Sequence, residues 1–182
     1  MYKIENLKNY LNQTNEFIRL AKEIYQLNSN IDYKDFKKWY LTKQIPGILK
    51  NERDILFIKN SNKEIIGISC LKKTNNEKKI CNLFVKEEYR YQGIGTILIE
   101  ESMKWLETKK PLITFPDYKL ELFKPFIKKY NWQLIEVINN LYNNYSKELC
   151  YNDTLIKPSN LENELHQKLI KVLKYRKNQL EK

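Results

Sequence analysis

The sequence predicts an α/β protein built on one mixed, largely antiparallel sheet flanked by helices, with a C-terminal helical extension. Three observations carry that prediction. Two amphipathic helical stretches occupy the first fifty residues. From Asp54 the apolar period shortens to that of strands. A later apolar strand then runs into a glycine turn that opens at once into an amphipathic helix.

Taken in order, residues 1–7 read as a short opening strand. Thr14 or Asn15 is expected to cap a helix whose apolar face is Phe17, Ile18, Ala21, Ile24 and Tyr25. A second helical stretch after Asp32 carries Phe36, Trp39 and Tyr40 at helical spacing, and Pro46-Gly47 is expected to break it. Residues 55–59 and 64–71 form a hairpin about a polar Asn-Ser-Asn-Lys turn, and 79–86 a further strand. A helix over 93–108, a buried strand over 111–115 and a helix over 120–130 follow; Pro125 implies a kink or a later start in the last. Residues 133–139 and 147–151 read as a closing antiparallel pair. Beyond Pro158, Leu161, Leu165, Leu169, Val172 and Leu173 share one helical stripe, which packs either on its own domain or on a second copy, leaving a homodimer open. The expected division is a domain over 1–152 and an extension over 153–182.

Composition narrows the function classes. With 182 residues, 42% hydrophobic and 13% aromatic, the chain has material for a buried core. No apolar run reaches bilayer length and the first residues lack a signal-peptide core, so a cytoplasmic protein without a membrane partner is expected. Cys70, Cys81 and Cys150 have neither the number nor the spacing of disulfide or zinc sites, and no metal is expected. The net charge of +11 raises a nucleic-acid reading, but the lysine doublets are spread along the chain at element ends, which disfavours it. The same charge attracts acidic small molecules.

One constellation carries chemistry. Two of only four glycines fall in Arg90-Tyr91-Gln92-Gly93-Ile94-Gly95, between an apolar strand and a helix. Glycine permits positive φ and close ligand approach, and the amides of such a turn together with a helix N-terminus converge on an anion. The Thr96 hydroxyl adds a donor; the Arg90 side chain either meets the anion or braces the turn. The motif is a pyrophosphate cradle. It lacks the lysine and spacing of a P-loop and the third glycine of a dinucleotide fingerprint.

The Arg-x-x-Gly-x-Gly pattern, the preceding strand Cys81-Asn82-Leu83-Phe84-Val85 and the hairpin Ile65-Ile66-Gly67 resemble the GNAT superfamily of N-acetyltransferases over roughly residues 1–152. The resemblance implies acetyl-CoA as cosubstrate, its phosphates at Arg90, Tyr91, Gln92, Gly93, Ile94, Gly95 and Thr96. It implies that Leu83, Phe84 and Val85 pair with the pantetheine arm, with the amide of Leu83 or Phe84 steadying the oxyanion. The implied acceptor is a small-molecule or peptide amine. Two family residues are missing: Ile127 stands at the position of the acid tyrosine and Leu120 at that of the asparagine. Tyr118 and Tyr130 lie nearby as substitutes, with water as the alternative acid. Asn82 and Glu77 stand near the usual base, so the catalytic residues are unassigned. Tyr33, Trp39 and Tyr40 either line the acceptor pocket or belong to the core, and His166, the single histidine, reads as a surface residue. A CoA-binding module without catalysis is the alternative reading.

Overall fold

The structure, a computed structural model, describes residues 2–28, 33 and 35–155. The expected helical stripe after Pro158 and His166 lie outside the described residues.

Seven strands form one sheet in the order β1-β2-β3-β4-β5-β7-β6. The strands are β1 (Lys3–Asn6), β2 (Arg53–Lys59), β3 (Ile65–Lys73), β4 (Lys78–Val85), β5 (Leu112–Pro116), β6 (Leu134–Asn139) and β7 (Lys147–Tyr151). Every neighbouring pair is antiparallel except β4 and β5. That one parallel pair is what the intervening helix α4 (Ile94–Leu106) requires, since a parallel connection must cross over the sheet.

The central strands are buried on both faces, and their side chains alternate between two cores. Ile55 and Phe57 of β2 join Leu20, Ile24, Phe36 and Tyr40, so that α1 (Thr14–Leu27) and α2 (Phe36–Trp39) cover one face. Leu56 and Ile58 join Ile94, Leu98, Phe123 and Trp132, so that α4 and α5 (Leu120–Tyr130) cover the other. At Gly67 a Cβ would stand 3.0 Å from Leu98 Cδ1 and 3.1 Å from Ile94 Cγ2, and the missing side chain lets α4 lie close on β3. Buried Asp54 ties the opening segment to β2, accepting hydrogen bonds from Asn6 Nδ2 (3.0 Å), the Lys8 amide (3.1 Å) and the Ile55 amide (2.8 Å).

Local details differ from the sequence reading in two places and narrow it in a third. Thr14 begins α1, and the cap position falls to Gln13 without a side-chain hydrogen bond. Pro46-Gly47 does not end the second helical stretch: after a π turn over Tyr40–Gln44 the chain continues as α3 (Ile45–Leu49). Pro46 lies in the first turn of α3, where a missing N–H costs nothing. Gly47 is there for space, because a Cβ would run into the Arg53 side chain. Finally, α5 has its expected span, Leu120–Tyr130, and of the two alternatives at Pro125 the later start is not observed: Pro125 lies inside the helix and leaves the Glu121 carbonyl without its i+4 amide.

Candidate functional site

The site begins with an extra residue. Leu71 pairs with Ile80 and Cys70 with Asn82, so Cys81 is a bulge in β4. Bulges bend the strand that carries them. Accordingly β4 pairs with β5 only at Lys79–Leu112 and Ile80–Ile113, and from Cys81 onward it leaves β5, which continues along β7. A wedge opens in the middle of the sheet. The Lys86 amide donates to Ile66 O (2.9 Å), and the alternation of an antiparallel ladder then turns the Phe84 amide towards β3 and those of Leu83 and Val85 into the wedge. Of the amides of Leu83 and Phe84, that of Leu83 is the one that faces the wedge.

At the end of β4 the chain makes a 3₁₀ turn over Glu87–Tyr89 and enters the glycine turn. Tyr91 and Gly93 both take positive φ, 61° and 83°, which turns successive amides towards one side. Gly93 caps α4, no side chain caps that helix, and nothing lies within 4 Å of where a Gly93 Cβ would point. Gly95 instead serves packing: a Cβ there would meet Phe126 Cζ at 3.2 Å. Arg90 folds back, its Nε donating to Val85 O (3.2 Å) beside Glu87, so the bracing alternative is the one observed. Gln92 Nε2 likewise donates to Glu88 O (2.9 Å), and Ile94 is buried in the core.

Two cavities flank the wedge. One, of about 430 Å³, is lined by Leu83, Phe84, Val85, Arg90, Tyr91, Gly93, Gly95 and Thr96. It therefore gathers eight of the ten residues singled out from the sequence, leaving Gln92 and Ile94 outside. Its far wall, Lys119, Leu122, Phe123, Pro125 and Phe126, was not foreseen. Phe123 stacks on Phe115 with centroids 4.0 Å apart, which seats that wall on β5.

The other cavity, about 500 Å³, is lined by the neighbouring stretch of the same strand, Lys79, Cys81 and Asn82, together with Thr114, Glu148 and residues of the α1–α2 side. Tyr33 and Trp39 reach it; Tyr40 does not, being buried with its hydroxyl donating to Ala21 O (2.9 Å). Asn82 Nδ2 donates to Asn28 Oδ1 (2.9 Å), and Glu77 pairs with Lys72. Burial pushes the Cys81 thiol and the Tyr142 hydroxyl up, the latter to about 12. Glu148 is 3% exposed, and its Oε1 has no hydrogen-bond partner among the described residues. Burial raises its carboxyl above the usual range, outweighing the Thr114 hydroxyl and the charges of Lys79 and Lys119 that oppose it. Lys119 thus faces both cavities: it lines one and acts on a carboxylate of the other. Glu148 escaped the sequence reading because a Glu inside a short alternating strand looks solvent-facing.

Neither tyrosine offered as an acid lines either of these two cavities. Tyr130 donates to Glu100 Oε1 (3.0 Å) on α4, and Tyr118 is half exposed. Cys70, Cys81 and Cys150 are free thiols, and no cluster of metal ligands occurs among the described residues.

The open mixed sheet, wedged beside a helix N-terminus that no side chain caps, leaves room for an extended anionic ligand. Residues 15–115 match the acetyltransferase (GNAT) family, and the chain belongs to that family. Solved structures share the fold. A putative GNAT-family acetyltransferase from Desulfovibrio desulfuricans aligns over 83% of this chain and 97% of its own at 10% identity, TM-score 0.62. An aminoglycoside 6'-N-acetyltransferase, complexed with coenzyme A, aligns over 76% and 92% at 13% identity, TM-score 0.56. Nourseothricin acetyltransferase aligns over 56% of this chain at 10% identity, TM-score 0.52, and the chain spans 65% of that protein's length. No curated protein matches the chain in sequence. Among the described residues no helix is long and apolar enough to cross a membrane.

Proposed function

We propose that this protein is an acetyl-CoA-dependent N-acetyltransferase acting on a primary amine. The observation that carries the reading is the pair of cavities on consecutive stretches of β4, Leu83–Phe84–Val85 on one side and Cys81–Asn82 on the other. A donor and an acceptor entering from opposite sides would meet at the wedge.

The residues fit the donor. The turned-out amides at Tyr91 and Gly93, the uncapped start of α4 and the space left by the missing Gly93 Cβ suit phosphates. The Val85 amide, with no strand beside it, suits a carbonyl of the pantetheine arm. Lys119 adds positive charge on the α5 side, and Phe123 and Phe126 give apolar cover. When bound, acetyl-CoA supplies an activated thioester carbonyl. The Leu83 amide, which faces the wedge, would stabilise negative charge that develops on that carbonyl oxygen. The wedge would set the distance between the reactants. Water is the proposed acid for the thiolate, since Tyr118 and Tyr130 stand outside both cavities.

Calorimetric titration with acetyl-CoA, followed by release of free CoA in the presence of a panel of primary amines, tests the reading. Binding together with amine-dependent CoA release is expected. Binding without release from any amine would support the alternative of a CoA-binding module without catalysis; no binding would remove both.

A further inference from the structure

Glu148 stands at the start of β7, where its backbone pairs with Pro116 of β5 and Ile138 of β6. Its side chain lines the cavity on the α1–α2 side of the wedge, together with Thr114 of β5 and Asn82 of β4. A glutamate 97% buried, with one carboxylate oxygen unpartnered among the described residues, costs stability; such a group is retained only where something else pairs with it. The other carboxylates of the same wall are committed or peripheral. Glu77 is in its ion pair with Lys72, and Asp35 belongs to the α2 end. Among the described residues, Lys79 of β4, Lys119 after β5, Tyr142 of the β6–β7 connection and Cys150 of β7 interact electrostatically with Glu148, and Arg53, Asp35 and the Lys72–Glu77 pair line the same cavity. Neither Lys79 nor Lys119 forms an ion pair with Glu148, so among the described residues Oε1 stands open to a cationic ligand.

We infer that Glu148 receives the ammonium group of the acceptor and takes its proton before acetyl transfer. The inference rests on the proposed function and assigns the base which the sequence left open. The step balances as follows. The acceptor ammonium gives one proton to Glu148 Oε1 and becomes a free amine. The amine nitrogen forms a bond to the acetyl carbonyl carbon, the carbon–sulfur bond breaks, and the second nitrogen proton passes through water to the thiolate. The proton on Glu148 leaves to solvent. A carboxyl held above its usual range by burial suits this exchange better than an exposed one, because it returns the neutral form more readily.

The acceptor class follows from the same wall: a primary amine that is cationic in water and small enough for a cavity of about 500 Å³, with Trp39 and Tyr142 as aromatic surfaces for its non-reacting part. The experiment compares wild type with Glu148→Gln and Glu148→Asp, using whichever amine of an aliphatic and aromatic panel the wild type acetylates fastest. Glu148→Gln is expected to lower kcat/KM for the amine by about 100-fold or more, the ordinary range for a lost base. Its acetyl-CoA affinity should stay within about twofold, because Glu148 does not line the donor cavity. In the wild type, kcat/KM rises with pH as Glu148 loses its proton; in Glu148→Gln that acidic limb should vanish, leaving the titration of the amine itself. Without turnover, the amine titrated into the CoA-saturated protein should bind at least about tenfold more weakly to Glu148→Gln. Glu148→Asp, which keeps the charge but withdraws it by one methylene, should fall between the two and keep the limb. Failure of acetyl-CoA to bind the wild type overturns the functional reading. Donor binding with no amine accepted overturns the catalytic reading and the role of Glu148 with it; an active wild type with variants equal to it in rate, amine affinity and pH profile overturns the role of Glu148 alone.

Discussion

At Gly93 the backbone holds φ at +83° while the space that a Cβ would fill is clear to 4 Å. The two facts separate what a side chain would do there. Any L-residue pays for the left-handed conformation, about 1–2 kcal/mol in general, least for asparagine and most for a β-branched residue. Gly93→Val is therefore expected to lose stability by at least that amount, whereas Gly93→Asn should melt within a few degrees of wild type. Both substitutions should weaken acetyl-CoA binding, because both put atoms where the phosphates would approach. Thermal melts and calorimetry on the two variants read these effects separately. Intact donor affinity in Gly93→Asn would show that the open space serves no ligand.

The bulge at Cys81 is a property of an element. In β4 the side chain of Ile80 faces α4, while those of Cys81 and Asn82 both line the cavity on the opposite face, and Leu83 returns to the α4 side. Deleting Cys81 would keep every later side chain on its present face, because the bulge adds a residue without reversing the alternation. It would also straighten β4 and extend its pairing with β5. The deletion variant is expected to fold, to protect the Leu83 and Val85 amides from hydrogen exchange, and to lose acetyl-CoA binding by an order of magnitude or more. Unprotected amides with normal binding would mean that the wedge has another cause.

Legibility from sequence divided along the same line. Strands such as β2 and β3 announce themselves by apolar content, and the cradle by the rarity of glycine. The bulge leaves no mark, since it depends on which residue of β3 opposes which residue of β4, a relation between strands. The wall from Lys119 to Phe126 and the burial of Glu148 are likewise long-range facts. Pro46 misled for a different reason: it falls in the first turn of α3, where no hydrogen bond is lost, so the helical stretch runs on past it.

At the scale of the whole molecule the formal charge of +11 bears on rate rather than on fold. Its lysines form scattered pairs with Glu64, Glu101, Glu107 and Glu121 at exposed positions, and such pairs add little stability. Their field instead draws in an anion such as coenzyme A. Raising salt from ~0.05 M to ~0.5 M shortens the screening distance to a few ångströms, and association of acetyl-CoA should slow by about tenfold or more. Turnover at saturating donor should not change. Stopped-flow binding and steady-state rates across that range make the comparison. A salt-independent association rate would mean that the charge does no steering.

The wedge has a cost that a closed sheet avoids. Sheets normally expose free strand edges at their rims, here β1 and β6, whereas this one also carries a vacant edge in its interior at Leu83 and Val85. An unpaired edge is a template on which another chain can add itself. Under the proposed function the pantetheine arm is what seals it, so the cosubstrate acts also as a guard of solubility. A cell that depletes its acetyl-CoA would then leave this protein not merely idle but sticky, and the same few amides would decide both its rate of work and its rate of loss to aggregates.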